Sequence, residues 1–343
     1  MRFFGRRAVR PALPTTALLA TALLMVSGCS GAGPKQNQHD REAASAGFPV
    51  IVENCGTEVT FEAPPERVML LESAPVTILD GIGVFDRVVA RAGSFPPGYY
   101  DAGLSQAVES VPSVSDELNA SGHLMISQEA VIGQTPDLVL GLPEGFSRQS
   151  LSAAGINVLT QELYCPGGAD GADEATFATL YDEIRRYGVV FDRRGAAAGL
   201  IKDLKSRVEA VKQRTADGKD LTAAVLYPTV GGGPLYAYGS ASMAQPQLEA
   251  AGLANVFADS DERVFEVQAE QLIAADPDVL ILLYQGREQG TKRAVTSLPG
   301  AQTIDAVAED RIMTQLFNFT EPASPLTVKG LEMIAEQLDR STG

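Results

Sequence analysis

Three cysteines, one histidine in the folded region and a scatter of aromatic and arginine side chains are the chemically suggestive residues of this 343-residue chain. Cys29 closes the run Val26-Ser27-Gly28-Cys29 at the end of a short apolar segment. Small residues ahead of a cysteine suit cleavage followed by acylation of the thiol, which makes Cys29 the expected lipidation site. The alternative is an ordinary secretory leader whose cysteine is incidental. With Cys29 assigned to lipid, Cys55 and Cys165 remain as an even pair in an oxidising compartment, and a disulfide between them is expected. Two unbonded, buried thiols are the other possibility. Closing a loop of about 110 residues is worth about 4 kcal/mol in the chain-entropy model. Neither cysteine has the spacing of a redox or metal motif, so the expected role is structural.

Catalytic signatures are absent from the sequence. There is no Gly-Lys-Ser/Thr phosphate loop, nucleophile elbow, zinc-ligand spacing or dinucleotide fingerprint, and Gly231-Gly232-Gly233 is not followed by a lysine. No enzymatic activity is expected. The remaining candidates are binding residues: Tyr99, Tyr100, Arg148, Tyr236, Tyr238, Arg287, Phe317 and Phe319, accompanied by Phe95, Phe146 and Arg91. Aromatic faces and guanidinium groups suit a bulky, partly apolar ligand with oxygen atoms at its edge.

The elements that would position these residues begin after the leader. Arg2, Arg6, Arg7 and Arg10 precede an apolar stretch from Ala17 to Val26. Ten residues are too few to cross a hydrocarbon core that needs about 20. Residues 1–28 read as a lipoprotein signal peptide, and residues 29–47 as the lipidated cysteine and a flexible tether rich in Gly, Ala, Ser and Gln. Removing the leader takes away four arginines and no acid, moving the formal charge from -16 to -20. So acidic a body argues against nucleic acid and against anionic lipid as partners. No later segment approaches membrane-spanning length, so the lipid is the expected membrane contact of an otherwise soluble body. About 315 remaining residues imply two domains.

A weak internal repeat marks those two halves. Ser127-Gln128-Glu129-Ala130-Val131-Ile132 leads to Pro136-Asp137 and then Leu138-Val139-Leu140; Gln268-Ala269-Glu270-Gln271-Leu272-Ile273 leads to Pro277-Asp278 and then Val279-Leu280-Ile281-Leu282. Each unit predicts a short helix, a proline-set turn and a buried strand. Glu129 and Glu270 fall in the first helical turn, where a carboxylate favours the dipole whatever else it does. Further strands are expected near residues 68–71 and 223–227, and the helix preceding each second strand ends at a glycine, Gly83 or Gly252. Between the halves, Phe177, Leu180, Ile184 and Tyr187 recur at helical spacing, as do Leu200, Leu204, Val208 and Val211. The expected fold is α/β: an N-terminal lobe over 48–172, a helical region over 173–218 containing a long interdomain helix, and a C-terminal lobe over 219–343. Each lobe should hold a mainly parallel sheet, with the ligand beyond the strands' carboxyl ends.

Several segments in this order carry a family resemblance: Cys55-Gly56-Thr57-Glu58-Val59-Thr60-Phe61, Pro64-Pro65-Glu66-Arg67-Val68, the two Pro-Asp units, Ala251-Gly252-Leu253-Ala254-Asn255-Val256, and the closing run from Ala306 to Arg311. Over roughly residues 48–340 the chain resembles the helical-backbone substrate-binding proteins of ATP-driven importers of ferric siderophores, haem and cobalamin. The resemblance implies two lobes joined by a long helix, a ligand cleft between them, and no cofactor of its own. It also implies docking onto an ABC permease, powered by a separate ATPase, through Glu129 and Glu270. The ligand it implies is a small-molecule metal chelate, first a ferric siderophore and alternatively haem, cobalamin or another organic cofactor. Only for haem would His123 join the site, with Met125 beside it and a tyrosine such as Tyr238 opposite; otherwise no metal ligand is expected. An anionic ligand would call on Arg91, Arg148 and Arg287. The expected protein is a monomer, anchored by lipid on the extracytoplasmic face of the cell membrane. A surface lipoprotein serving adhesion or sensing is the reading from a different class.

Overall fold

The computed structural model describes residues 47–118, 124–143, 145–165, 174–216 and 221–342. An antiparallel hairpin, β1 (Val50–Asn54) and β2 (Thr57–Phe61), opens this body. It is followed by a five-stranded, all-parallel sheet made of β3 (Val68–Leu70), β4 (Val88–Ala92), β5 (Ser113–Ser115), β6 (Leu138–Leu140) and β7 (Asn157–Leu159), in the order β5-β4-β3-β6-β7. The crossovers are α1 (Pro75–Gly81), α2 (Ala102–Ser110), α3 (Gln128–Ile132) and α4 (Arg148–Ala153). Asp101, Ser127 and Ser147 start the last three by accepting the backbone N–H three residues on.

The strands at the centre of this sheet are apolar on both faces because both are covered. Val68, Leu70, Leu138 and Leu140 face one core; Met69 and Val139 face a second, against Val131 of α3 and Leu151 of α4. A covalent tie links the hairpin to the end of the lobe, where Cys55 and Cys165 form a disulfide.

Two helices then lead away, α5 (Phe177–Val190) and α6 (Arg194–Thr215). The second has 22 residues and is therefore about 33 Å long. Its buried stripe, Ala197, Ile201, Leu204, Val208 and Val211, follows the helical period. The two helices touch closely at Gly188, where a Cβ would lie 2.5 Å from that of Ala197.

In the second lobe β8 (Leu221–Pro228) is central. On one edge lie β12 (Val279–Tyr284) and then β13 (Ile312–Leu316), all parallel. The other edge is shared: β10 (Leu253–Asn255) runs parallel to the start of β8, and β9 (Leu235–Tyr238) antiparallel to its end, with β11 (Val264–Val267) outside β9. Helices α7 (Ala244–Ala250), α8 (Ala269–Ala275), α9 (Thr291–Thr296) and α10 (Asp305–Ala308) complete the lobe, and α11 (Pro325–Thr342) ends the chain. The order β10-β8-β12-β13 repeats β4-β3-β6-β7 of the first lobe.

The repeated Pro-Asp units have a shared physical cause. Asp137 accepts hydrogen bonds from the backbone N–H groups of Glu66 (2.7 Å) and Arg67 (3.0 Å), fixing the start of β3. Asp278 accepts from the N–H (2.8 Å) and hydroxyl of Thr222, fixing the start of β8. In each lobe the turn before one strand thus sets the register of its parallel neighbour.

Helix α6 packs against α1 and α5 on one side and α7 and α11 on the other, and a single apolar core runs through both lobes along these helices. Among the described residues, no helix is long and apolar enough to cross a membrane.

Candidate ligand cleft

The carboxyl ends of both sheets meet where the lobes face each other, and two polar clusters bridge them there. In the first, the Tyr99 hydroxyl donates to Asn318 Oδ1 (3.1 Å) and accepts from the Asn318 backbone N–H (3.0 Å). Asn318 Nδ2 donates to Ser73 Oγ at 3.1 Å. The Tyr99 ring meets Phe319 edge-on, with centroids 5.5 Å apart. Two single-turn helices, Pro97–Tyr99 and Phe317–Phe319, supply these groups from opposite lobes.

The second cluster is built around charge. Arg263 pairs with the fully buried Glu321 at 3.2 Å, and its guanidinium lies 5.0 Å from the centre of the Tyr164 ring. The other oxygen of Glu321 accepts the Met243 N–H at 2.6 Å. Burial pushes the Glu321 carboxyl up despite the opposing pull of Arg263. Tyr238 sits beside this pair, its phenol raised by burial and by the Glu321 charge.

The structure places the side chains expected at the site in differing surroundings. Tyr99 and Phe319 are buried in the bridge, and Tyr238 is buried beside the ion pair, so little of their surface is exposed. Arg148 is committed within its own lobe: its guanidinium donates to Val158 O and, at 2.8 Å, to Asn54 Oδ1. Arg91 likewise donates to Val108 O (3.1 Å) and stacks over Phe95 at 5.2 Å. Arg287 is exposed, in the segment after β12. His123 and Cys29 lie outside the described residues.

What remains available is a set of half-buried aromatics. Tyr227 and Tyr236 are directly opposite on β8 and β9, and Phe317 meets Tyr227 edge-on at 5.9 Å. Tyr100 and Phe95 are half-buried in the segment after β4, and Tyr284 ends β12. Tyr227 and Tyr284 escape a reading that looks for ligand residues in loops, because both are placed at strand ends. Burial raises both phenols.

Glu129 and Glu270 are exposed in the first turns of α3 and α8. A groove of about 590 Å³ lies elsewhere, lined by Arg185, Val189, Arg194, Ile201, Lys202 and Lys205 among others on α5 and α6. All its lining residues belong to these two helices and none to a loop after a strand, so we do not assign the ligand to it. Among the described residues no cluster of three or more His, Cys, Asp or Glu side chains is arranged to hold a metal ion.

Comparison with known proteins adds sequence-level and structural relationships. The family model described as periplasmic binding protein matches residues 68–315. A crystal structure from Saccharomonospora viridis, described as an ABC-type Fe3+-hydroxamate transport system, is 54% identical, covers 85% of this chain and 99% of its own, and superposes with a TM-score of 0.80. A cobalamin-binding protein of Halobacterium salinarum is 27% identical over 275 residues, 78% of this chain and 68% of the relative. A periplasmic haem-binding protein from Roseiflexus shares the fold, with a TM-score of 0.64, 20% identity, and coverage of 81% of this chain and 99% of its own.

Proposed function

Because this chain belongs to the periplasmic binding protein family, whose members carry ligands without transforming them, we propose that it captures a ferric hydroxamate siderophore and delivers it to an ABC permease. The carrying observation is the 54% identity, across 99% of its length, to the Saccharomonospora protein described as part of an Fe3+-hydroxamate transport system. The half-buried aromatics Tyr100, Tyr227, Tyr236, Tyr284 and Phe317 are the proposed ligand-facing wall. Their flat faces suit the apolar backbone of a chelate whose oxygen atoms already surround the iron.

The leader and Cys29 support a lipid anchor on the extracytoplasmic face, with residues 30–47 as tether. Glu129 and Glu270, exposed at matching positions of the two lobes, are proposed to meet arginines of the permease, where charge-assisted pairs would set register and speed encounter. The 27% identity to a cobalamin-binding protein favours cobalamin as the second reading.

Native mass spectrometry of residues 30–343, incubated with ferric trihydroxamates, cobalamin and hemin, tests the cargo. A retained ferric trihydroxamate is expected. A cobalamin adduct would move the assignment to the second reading, and no adduct from a folded protein would overturn the transport role. For docking, Glu129→Lys with Glu270→Lys should abolish uptake by the reconstituted transporter while leaving ligand binding intact; unchanged uptake would remove that assignment.

A further inference from the structure

Glu72 is an anomaly in the bridge between the lobes. It follows the carboxyl end of β3, next to Ser73, which Asn318 of the other lobe holds. It also reaches over the carboxyl end of β6, since a Cβ on Gly141 would lie 3.1 Å from its Cγ. The side chain keeps some contact with solvent, yet Oε1 is buried and has no hydrogen-bond partner among the described residues. Leaving such an oxygen unsatisfied is costly, and the cost is removed only by a donor brought to it.

Among the described residues, no cation acts on this carboxyl. Arg263 is spent on Glu321, Arg186 on Glu183 and Glu162, Arg148 on Asn54 and Val158, and Arg91 on Val108. The titratable groups facing Glu72 are Glu183 and Tyr187 from α5 and Tyr164 from the turn after β7, with the Arg263–Glu321 pair behind Tyr164. Both phenols are raised far above neutrality and carry no charge there. The charge around the carboxyl end of β3 is therefore uncompensated and negative whenever Glu72 ionises.

We propose that Glu72 selects a chelate bearing a positively charged group, whose ammonium or equivalent donor pairs with the buried carboxylate. The proposal rests on the siderophore reading and narrows it to cationic members of that class. Burial, then the Glu183 charge, pushes the Glu72 carboxyl up to about 8, so at neutral pH it is mostly protonated. On binding, the ligand keeps its proton and Glu72 releases its own to solvent. If the cation draws the carboxyl down by about two units, the preference over a neutral analogue is about fifty-fold at pH 8 and about two-fold at pH 6.

The test uses ferrioxamine B, which carries a free ammonium, and the cyclic, neutral ferrioxamine E. Calorimetric titration between pH 6 and 8, in buffers of different ionisation enthalpy, reads affinity and proton release together. Tighter binding of ferrioxamine B with a preference growing with pH, proton release for that ligand alone, and loss of both in a folded Glu72→Gln variant are expected. Proton release from Glu183 would survive Glu72→Gln and would overturn the assignment. Equal affinity for the two ligands at pH 8 would overturn this inference while leaving the hydroxamate reading in place. If neither binds, both fall.

Discussion

Arg263→Met removes the one cation that, among the described residues, faces a carboxylate with no exposure at all, and the consequence can be worked through. Glu321 would keep the Met243 N–H at 2.6 Å and lose the guanidinium at 3.2 Å. Breaking a buried pair by deleting one partner costs about 3–5 kcal/mol, because an uncompensated charge stays behind. Loss of the contact between Arg263 and the Tyr164 ring adds about 0.5–2 kcal/mol. The carboxyl can escape by taking up a proton, and burial has already raised it. A raised folded-state value contributes stability at low pH that is lost as pH rises through it, so the deficit must grow with pH. Urea unfolding is the assay. With a slope of about 3 kcal/mol per molar, the midpoint should fall by about 1.2–2.3 M at pH 8 and by clearly less at pH 5. Arg263→Met with Glu321→Gln should recover part of the loss, since the amide oxygen still accepts from Met243. A midpoint shift below about 0.3 M at pH 8, or one independent of pH, would refute the reasoning.

Four further outcomes follow from local features. At Gly330 in α11 a Cβ would lie 1.9 Å from Phe319 O, so Gly330→Ala must displace residues 317–319, costing about 3 kcal/mol or more in urea and weakening ligand binding; Gly195→Ala on the exposed face of α6, where a Cβ meets nothing within 4 Å, should instead stabilise by about 0.5–1 kcal/mol. Replacing Cys55 and Cys165 by serine should cost about 2–5 kcal/mol, and the denatured, unreduced parent lacking Cys29 should show no free thiol on titration with a chromogenic disulfide. Glu72 and Glu183, pushed up to about 8 and about 7 from 4.5, should make stability decline from pH 4.5 to pH 8, and Glu72→Gln should flatten that profile.

The sequence speaks clearly wherever partners are close along the chain. The helix–turn–strand units around Pro136-Asp137 and Pro277-Asp278 are local, and both fold as expected, into α3–β6 and α8–β12. The first-turn positions of Glu129 and Glu270 were readable for the same reason. Even so, the purpose of the repeated aspartates was hidden, because Asp137 reaches back about 70 residues to the chain before β3. Ligand residues fared worse. Arg148 looks solvent-facing at the start of a helix, and only its meeting with Asn54, 94 residues earlier, shows it committed. Tyr99 resembles a loop aromatic until Asn318, 219 residues away, claims its hydroxyl. Glu72 could not be singled out at all, since its interest lies in a partner that is missing.

Helix α11, the last element of the chain, packs against α1, the first helix, as well as α6. The core that both lobes share includes Val328, Leu331, Ile334 and Ala335 from α11 beside Val76, Ile78 and Leu79 from α1. Neither lobe can complete its interior while α11 is still missing. Contacts that join the two ends of a chain carry a large loop-closure cost and slow folding. A chain emerging amino end first therefore presents a partly built, apolar interior until its last twenty or so residues arrive.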